Sequence, residues 1–313
     1  QARRVSTLLL ASALIQPVAM TNFTLTDPKA VAISGDGTQV ALTIGPIQGQ
    51  PAAGYRTPTM LKSELVDMTP VYAPRFLFAN SVVSATGLAS ASAGSLFTIF
   101  GANLIQSEAI AAPGPSLAGS LGGITLFSEY GALPLQVITP WQVNAQIPQS
   151  VQPRTIVFQL RDATTGGFLA NSITGLVKLR APEDYIVQGS GSVGIESVSA
   201  AFHAGTRIRA DFANPAARGE ILEIYATGLG PTTPAVDAGA PSSLTTLAWA
   251  TVAPRLQIGG VDAELSFTGM VPGLVGVYQV NAKVPLGARS GANSLNWIAP
   301  DGSQISHSGI YVK

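Results

Sequence analysis

The sequence predicts an all-β chain: two tandem copies of one β-sandwich domain, preceded by an apolar amino-terminal arm and a short β-rich segment. Three observations predict it. Gly (33) and Pro (22) exceed one residue in six of the 313, with Val, Ile, Thr and Ser between them, which is the texture of short strands and frequent turns. The string Trp141-Gln142-Val143-Asn144-Ala145-Gln146-Ile147-Pro148 returns as Tyr278-Gln279-Val280-Asn281-Ala282-Lys283-Val284-Pro285, an offset of 137 residues. Other motifs return in the same order, as an internal repeat requires.

Residues 1–20 form the arm. Arg3-Arg4 ahead of the apolar run from Val5 to Met20 has the outline of an export signal, and Gln1 in place of Met implies a segment removed upstream. As a helix the run would span about 24 Å, short of a hydrocarbon core of ~30 Å, and Pro17 interrupts it. No membrane span is expected. Residues 21–70 read as a hairpin and linker: Ala30 to Ile33, a Ser34-Gly35-Asp36-Gly37 turn, then Gln39 to Ile44. Gly45 to Pro58 reads as loop, and Leu61 to Met68 is the one place where a helical turn is expected.

Residues 71–180 and 181–313 are the two sandwiches, each opening near an Ala-Pro pair, Ala73-Pro74 and Ala181-Pro182. Gly94-Ser95-Leu96-Phe97-Thr98-Ile99-Phe100 is echoed by Gly219-Glu220-Ile221-Leu222-Glu223-Ile224-Tyr225 at an offset of 125, so the second copy carries 12 extra residues further on, placed in Thr232 to Thr251. Glu220 and Glu223 cannot share one β face, which predicts a bulge or an edge position. Gly101 to Leu104 and Thr227 to Gly230 read as turns. Arg255 to Ile258, Gly259-Gly260 and Ala263 to Phe267 read as a hairpin with a tight glycine turn, and Gly122-Gly123 stands at the same place in the first copy. Short strands with turns every 8 to 12 residues, about seven per copy, give a Greek-key sandwich.

The strings Gly219 to Pro231 and Gly273-Leu274-Val275-Gly276-Val277-Tyr278-Gln279-Val280-Asn281 closely resemble the Solibacter-type uncharacterised C-terminal domain, abundant in secreted proteins of acidobacteria. Gly94 to Leu104 and Trp141 to Pro148 resemble the preceding half of the same family, so the resemblance covers about residues 71–313. It implies immunoglobulin-like (TIG-like) folds in an exported protein, extracellular or at the cell surface. It brings no catalytic residue and no ligand.

Charged residues make up only 11% and the formal net charge is zero, which leaves no electrostatic footprint for nucleic acid or an anionic membrane. Near-zero charge favours association. With no cysteine there is no disulfide, thiolate metal site or Cys nucleophile. Gly189-Ser190-Gly191-Ser192-Val193-Gly194 fits G-x-G-x-x-G, but Ile195 to Phe202 is too short and β-branched for the helix a dinucleotide site needs; it reads as a turn. His203 and His307 stand apart from any second metal ligand. No G-x-S-x-G elbow and no D-x-D-x-D calcium loop occurs, and Glu183-Asp184 reads as a polar turn. No catalytic, cofactor or metal residue is assigned. Trp141 and Tyr278, at equivalent positions, suit a sandwich core better than a sugar platform, and Asn144 and Asn281 are expected to bond a neighbouring turn's backbone. Asn22-Phe23-Thr24 is a formal glycosylation sequon.

Three functions fit. The first is a non-enzymatic extracellular subunit of a filament or surface layer, its partners copies of itself, with Val5, Leu8, Leu9, Leu10, Leu14 and Ile15 donated as a strand to a neighbouring sheet edge. The second is a monomeric adhesion or carbohydrate-binding module with surface polysaccharide as partner, marked by an exposed Trp141 or Trp297. The third is a glycan-active enzyme, marked by two facing carboxylates ~5 to 10 Å apart.

Overall fold

The computed structural model describes residues 28–33, 39–44, 64–67, 74–87, 90–188 and 197–313. The described residues contain no helix, so none long and apolar enough to cross a membrane. The chain divides into two compact units, Gln1–Pro74 and Arg75–Lys313.

In the first unit β1 (Pro28–Ile33) and β2 (Gln39–Ile44) form the expected antiparallel hairpin, Val31 opposite Leu42 and Ile33 opposite Val40. The helical turn expected at Leu61 to Met68 is instead a strand, β3 (Glu64–Asp67), paired to the free edge of β2. A helix nucleus fixes several residues for one hydrogen bond, whereas these four residues add to a ladder already formed.

The second unit holds two sandwiches. The first is built from β4 (Phe76–Ser84), β5 (Ala91–Ser92), β6 (Leu96–Ala102), β7 (Ile110–Ala111), β8 (Ile124–Ser128), β9 (Gly131–Leu133), β10 (Leu135–Ile138), β11 (Gln142–Gln146), β12 (Arg154–Asp162) and β13 (Ile173–Lys178). Its sheets run β4-β6-β11-β10-β7 and β5-β13-β12-β8-β9. The second uses β14 (Glu183–Asp184), β15 (Ile186–Gln188), β16 (Ser197–Ser199), β17 (Ala201–His203), β18 (Ile221–Thr227), β19 (Thr232–Thr233) and β20 (Trp249–Ala250). It continues with β21 (Arg255–Ile258), β22 (Val261–Asp262), β23 (Glu264–Met270), β24 (Tyr278–Lys283), β25 (Gly291–Ile298) and β26 (Gln304–Val312). Its sheets run β14-β18-β24-β23-β20-β19, with β17 also on β18, and β15-β16-β26-β25-β21-β22.

The repeat read from the sequence reappears in the strand register. Gln142 lies opposite Phe100 and Asn144 opposite Thr98; Gln279 lies opposite Tyr225 and Asn281 opposite Glu223. Both offsets, 125 and 137, are thereby kept across one strand pair. Each copy also adds a short strand parallel to its last strand, β5 on β13 and β16 on β26. Gly122-Gly123 and Gly259-Gly260 both take positive φ, +56° and +75°, then +60° and +83°. Two left-handed residues make the type I′ turn whose twist matches the flanking strands.

Alternation decides which side chains are inside. β12 turns Ile156, Phe158 and Leu160 into the first core, where Phe97 of the facing sheet meets Phe158 at 5.3 Å between ring centroids. β25 turns Leu295 and Trp297 into the second core. Trp297 Nε1 donates to Asp184 Oδ1 at 2.8 Å, and Ser308 Oγ donates to Asp184 Oδ2 at 2.6 Å. Glu183-Asp184 is therefore a buried strand rather than a polar turn, and it ties the two sheets together. The bulge or edge expected of Glu220 and Glu223 is also absent: β18 runs between β14 or β17 and β24 in unbroken register, and Glu220 precedes it. There Glu220 accepts from the Ala217 amide at 2.7 Å and pairs with His203.

The sandwiches meet across a close, polar junction. Gln149 exchanges two hydrogen bonds with Thr232, at 2.9 and 3.0 Å, and Gln146 Oε1 accepts from the Gly239 amide at 2.6 Å. Ser95 Oγ accepts from the Gly228 amide at 2.9 Å. Gly228 sits at φ +80°, where a Cβ would overlap the Ala181 carbonyl oxygen. Tyr278, fully buried at this junction, donates to Gly230 O at 2.7 Å, and burial raises its phenol pKa above the usual tyrosine range.

Candidate functional site

The outward face of the β18-β24-β23-β20 sheet concentrates the groups best suited to bind a ligand. Side chains two apart on a strand share a face, and cross-strand partners lie about 5 Å apart. One row across this face reads Tyr225, Gln279, Gly269, Trp249, each opposite the next. The adjacent row reads Phe202, Glu223, Asn281, Phe267. The bulge at Ser266, between Leu265 and Phe267 in the β23 register, brings Phe267 and Gly269 onto the outer face.

Aromatic rings therefore stand at both ends of an amide-bearing middle. Phe202 meets Tyr225 edge-on at 5.7 Å, and Trp249 meets Phe267 edge-on at 4.8 Å. Trp249 is 44% exposed while Phe267 is buried beneath it. Gly269 presents no side chain, and the Phe267 ring lies over the space that a Cβ would take there. Gln279 Nε2 donates to Asn281 Oδ1 at 2.7 Å, which orients both amides and leaves Gln279 Oε1 and Asn281 Nδ2 as acceptor and donor. Glu223 Oε1 accepts from the Gly205 amide at 3.1 Å. Glu264 and Lys283, one row further on, are 3.6 Å apart and neutralise each other. The span from Tyr225 to Trp249 crosses three inter-strand gaps, roughly 14 Å.

Residues 232–251, where the second copy is longer, hold β19 and β20; β20 takes the sheet place that β7 has in the first copy and carries Trp249, and β19 adds one strand beyond it. The first copy has the same amide pair, Gln142 Nε2 donating to Asn144 Oδ1 at 3.3 Å, with Thr98 Oγ1 donating to the same oxygen at 3.0 Å. At the place of Phe267, opposite Asn144, it has Val137, so that aromatic ring is missing. These bonds also correct the expectation that Asn144 and Asn281 serve neighbouring turns: their side-chain oxygens accept from side chains on the sheet face.

The other residues singled out in the sequence fall as follows. Tyr278 is in the core as expected, but Trp141 is 47% exposed; the pole of the second sandwich that buries Tyr278 is covered by Gly94 and Ser95 of the first. Trp297 is buried. His203 Nε2 donates to Asn214 O at 3.1 Å, with Glu220 on its other nitrogen. No cluster of three or more His, Cys, Asp or Glu side chains with metal-binding geometry occurs among the described residues. Val5, Leu8, Leu9, Leu10, Leu14 and Ile15, and the glycines from 189 to 194, lie outside the described residues, as does the side chain of His307. Phe202, Tyr225, Glu223, Trp249 and Phe267 were not singled out as binding residues; the only sequence signal was the insertion that holds Trp249.

No protein-family model and no curated protein matches the chain. Among solved structures it is similar to the Bacteroides ovatus mixed-linkage glucan utilization locus protein SGBP-B, solved with a mixed-linkage heptasaccharide. The identity is 13% over 88% of this chain and 53% of that one, with a TM-score of 0.31. It is similar also to the full extracellular region of plexin A4, at 10% identity over 76% of this chain and 27% of that one, TM-score 0.21. The chain thus spans about half the length of the first and about a quarter of the second.

Proposed function

We propose that the chain is an extracellular glycan-binding module, non-catalytic, with the outward face of the β18-β24-β23-β20 sheet as its binding surface. The observation that carries this is the strip itself: Tyr225 and Phe202 at one end, Trp249 at the other, and the oriented Gln279–Asn281 amides between them. Aromatic rings offer apolar faces to the C–H faces of sugar rings, and fixed amides offer both a donor and an acceptor to hydroxyl groups. The strip has no uncompensated cation, since Lys283 is paired with Glu264, so it suits a neutral glycan long enough to reach both ends. An extracellular setting agrees with the family resemblance of residues 71–313 and with the low charge.

Titration calorimetry of the full chain against neutral β-glucan, xylan and α-glucan tests the reading. One of these should bind, and Trp249→Ala and Tyr225→Ala should each weaken it by about tenfold or more, as central aromatic anchors do. Binding by none of them, or undiminished binding by folded Trp249→Ala, would remove the proposal.

A further inference from the structure

The first sandwich carries a second surface, of different chemistry, on its β13-β12-β8 face. β12 is central in that sheet and turns Val157, Gln159 and Arg161 outward. The Arg161 guanidinium carbon lies 4.1 Å from the Phe127 ring centroid and 5.1 Å from that of Phe168, within cation–π range. Gln159 Oε1 accepts from Arg161 Nε at 3.2 Å and from Nη2 at 2.7 Å, and Gln159 Nε2 donates to Ser172 Oγ at 3.3 Å. Neutral groups therefore hold the fork in one orientation, and among the described residues no carboxylate pairs with it. Glu129, the acid on the adjoining turn, is committed to Arg154 at 3.6 Å and to the Val157 amide at 3.3 Å. Phe168 is 65% exposed, so most of its ring is open to solvent. Beside Ser172 lies an open depression of about 280 Å³, which Val157, Phe76, Asn80 and Thr174 also line.

We propose that this face binds an acidic polysaccharide, the Arg161 fork taking a uronate carboxylate and Phe168 the apolar face of the same sugar ring, with the chain continuing past Ser172 into the depression. A planar guanidinium pre-set by Gln159 matches a carboxylate bidentately and loses little freedom on binding. An acidic peptide fits less well. Peptides dock on sheets by pairing with a free edge, and β12, which carries Gln159 and Arg161, lies inside its sheet between β13 and β8. The proposal is independent of the neutral-glycan strip on the second sandwich.

The test is calorimetric titration of the full chain with polygalacturonate, with poly-aspartate as the charge-matched peptide control. Polygalacturonate should bind, more weakly as salt rises. Arg161→Gln should lose about tenfold or more, the loss of one charge-assisted contact, and Phe168→Ala about tenfold, the loss of an aromatic anchor. Arg161→Lys should fall between, and Trp249→Ala should bind as the parent does. Melting curves accompany each variant; Phe168, being exposed, can be truncated with little effect on folding and decides the matter if Arg161→Gln does not fold. Failure of polygalacturonate to bind, equal binding of poly-aspartate, or parental binding by a folded Phe168→Ala would each overturn the proposal.

Discussion

Replacing Gly228 by alanine tests whether the junction locks the two sandwiches into one stable body. At φ +80° an L-residue costs about 1–2 kcal/mol over glycine. The new Cβ would also overlap the Ala181 carbonyl oxygen, so the backbone must move. That movement breaks two hydrogen bonds, the Gly228 amide to Ser95 Oγ at 2.9 Å and the Ala181 amide to Gly228 O at 2.8 Å, each worth about 1 kcal/mol net. Together the loss is about 3–4 kcal/mol. For a unit of this size each kcal/mol lowers Tm by roughly 2–4 °C, so differential scanning calorimetry should show a fall of about 6–16 °C in the transition of residues 75–313. Gly260→Ala is the control. Gly260 has φ +83° with nothing within 4 Å of a Cβ, so it carries only the backbone cost, about 1–2 kcal/mol. Equal shifts for the two variants would refute the reasoning, because the junction would then contribute nothing beyond backbone strain.

Two further outcomes follow from the buried polar groups. Asp184→Ala strands the Trp297 indole N–H and the Ser308 hydroxyl in the second core, at about 1–3 kcal/mol each; the urea midpoint should fall with an unchanged slope, and an unmoved midpoint would contradict the cross-sheet role. Burial pushes the Tyr185 phenol up to about 12 from 10.0, so the folded state keeps a proton that the unfolded chain releases. Its contribution is complete below pH 10 and is lost as pH rises towards 12. Tyr185→Phe should therefore melt with a shallower decline over that window, and an identical decline would exclude burial of Tyr185 as its cause.

Much of the fold was legible because it is local or repeated. Glycine pairs at 122–123 and 259–260 announce I′ hairpins, since few other residues take two successive positive φ values. Register was legible too, because two offsets that hold along the sequence must hold between the strands they label. Environment was not. Trp141 and Tyr278 occupy one repeat position, yet only Tyr278 is covered, because the cover comes from Gly94 and Ser95 in the other sandwich. Glu183 and Asp184 look like a surface turn until Trp297 and Ser308, more than a hundred residues away, supply their setting. The aromatic and amide strip was hidden for the same reason: Phe202, Tyr225, Gln279, Gly269 and Trp249 become neighbours only once five strands are paired.

The comparison of the two copies separates what the fold requires from what the proposed binding would add. Both keep the Gln–Asn bond, on β11 at 3.3 Å in one and on β24 at 2.7 Å in the other, although only the second has aromatic rings at both ends. The amide pair is therefore part of the sandwich itself, a polar ladder on a central strand. In the second copy β20 supplies Trp249, and Tyr225 in place of Phe100 supplies a ring with a hydroxyl. Amides already fixed by the fold lose little freedom when a ligand arrives, which is where pre-organisation gains affinity. A chain with 11% charged residues also has few ions to strip of water near such a strip. Under the proposed function, a fixed amide pair between two aromatic ends suits neutral glycans, which are uncharged and amphiphilic.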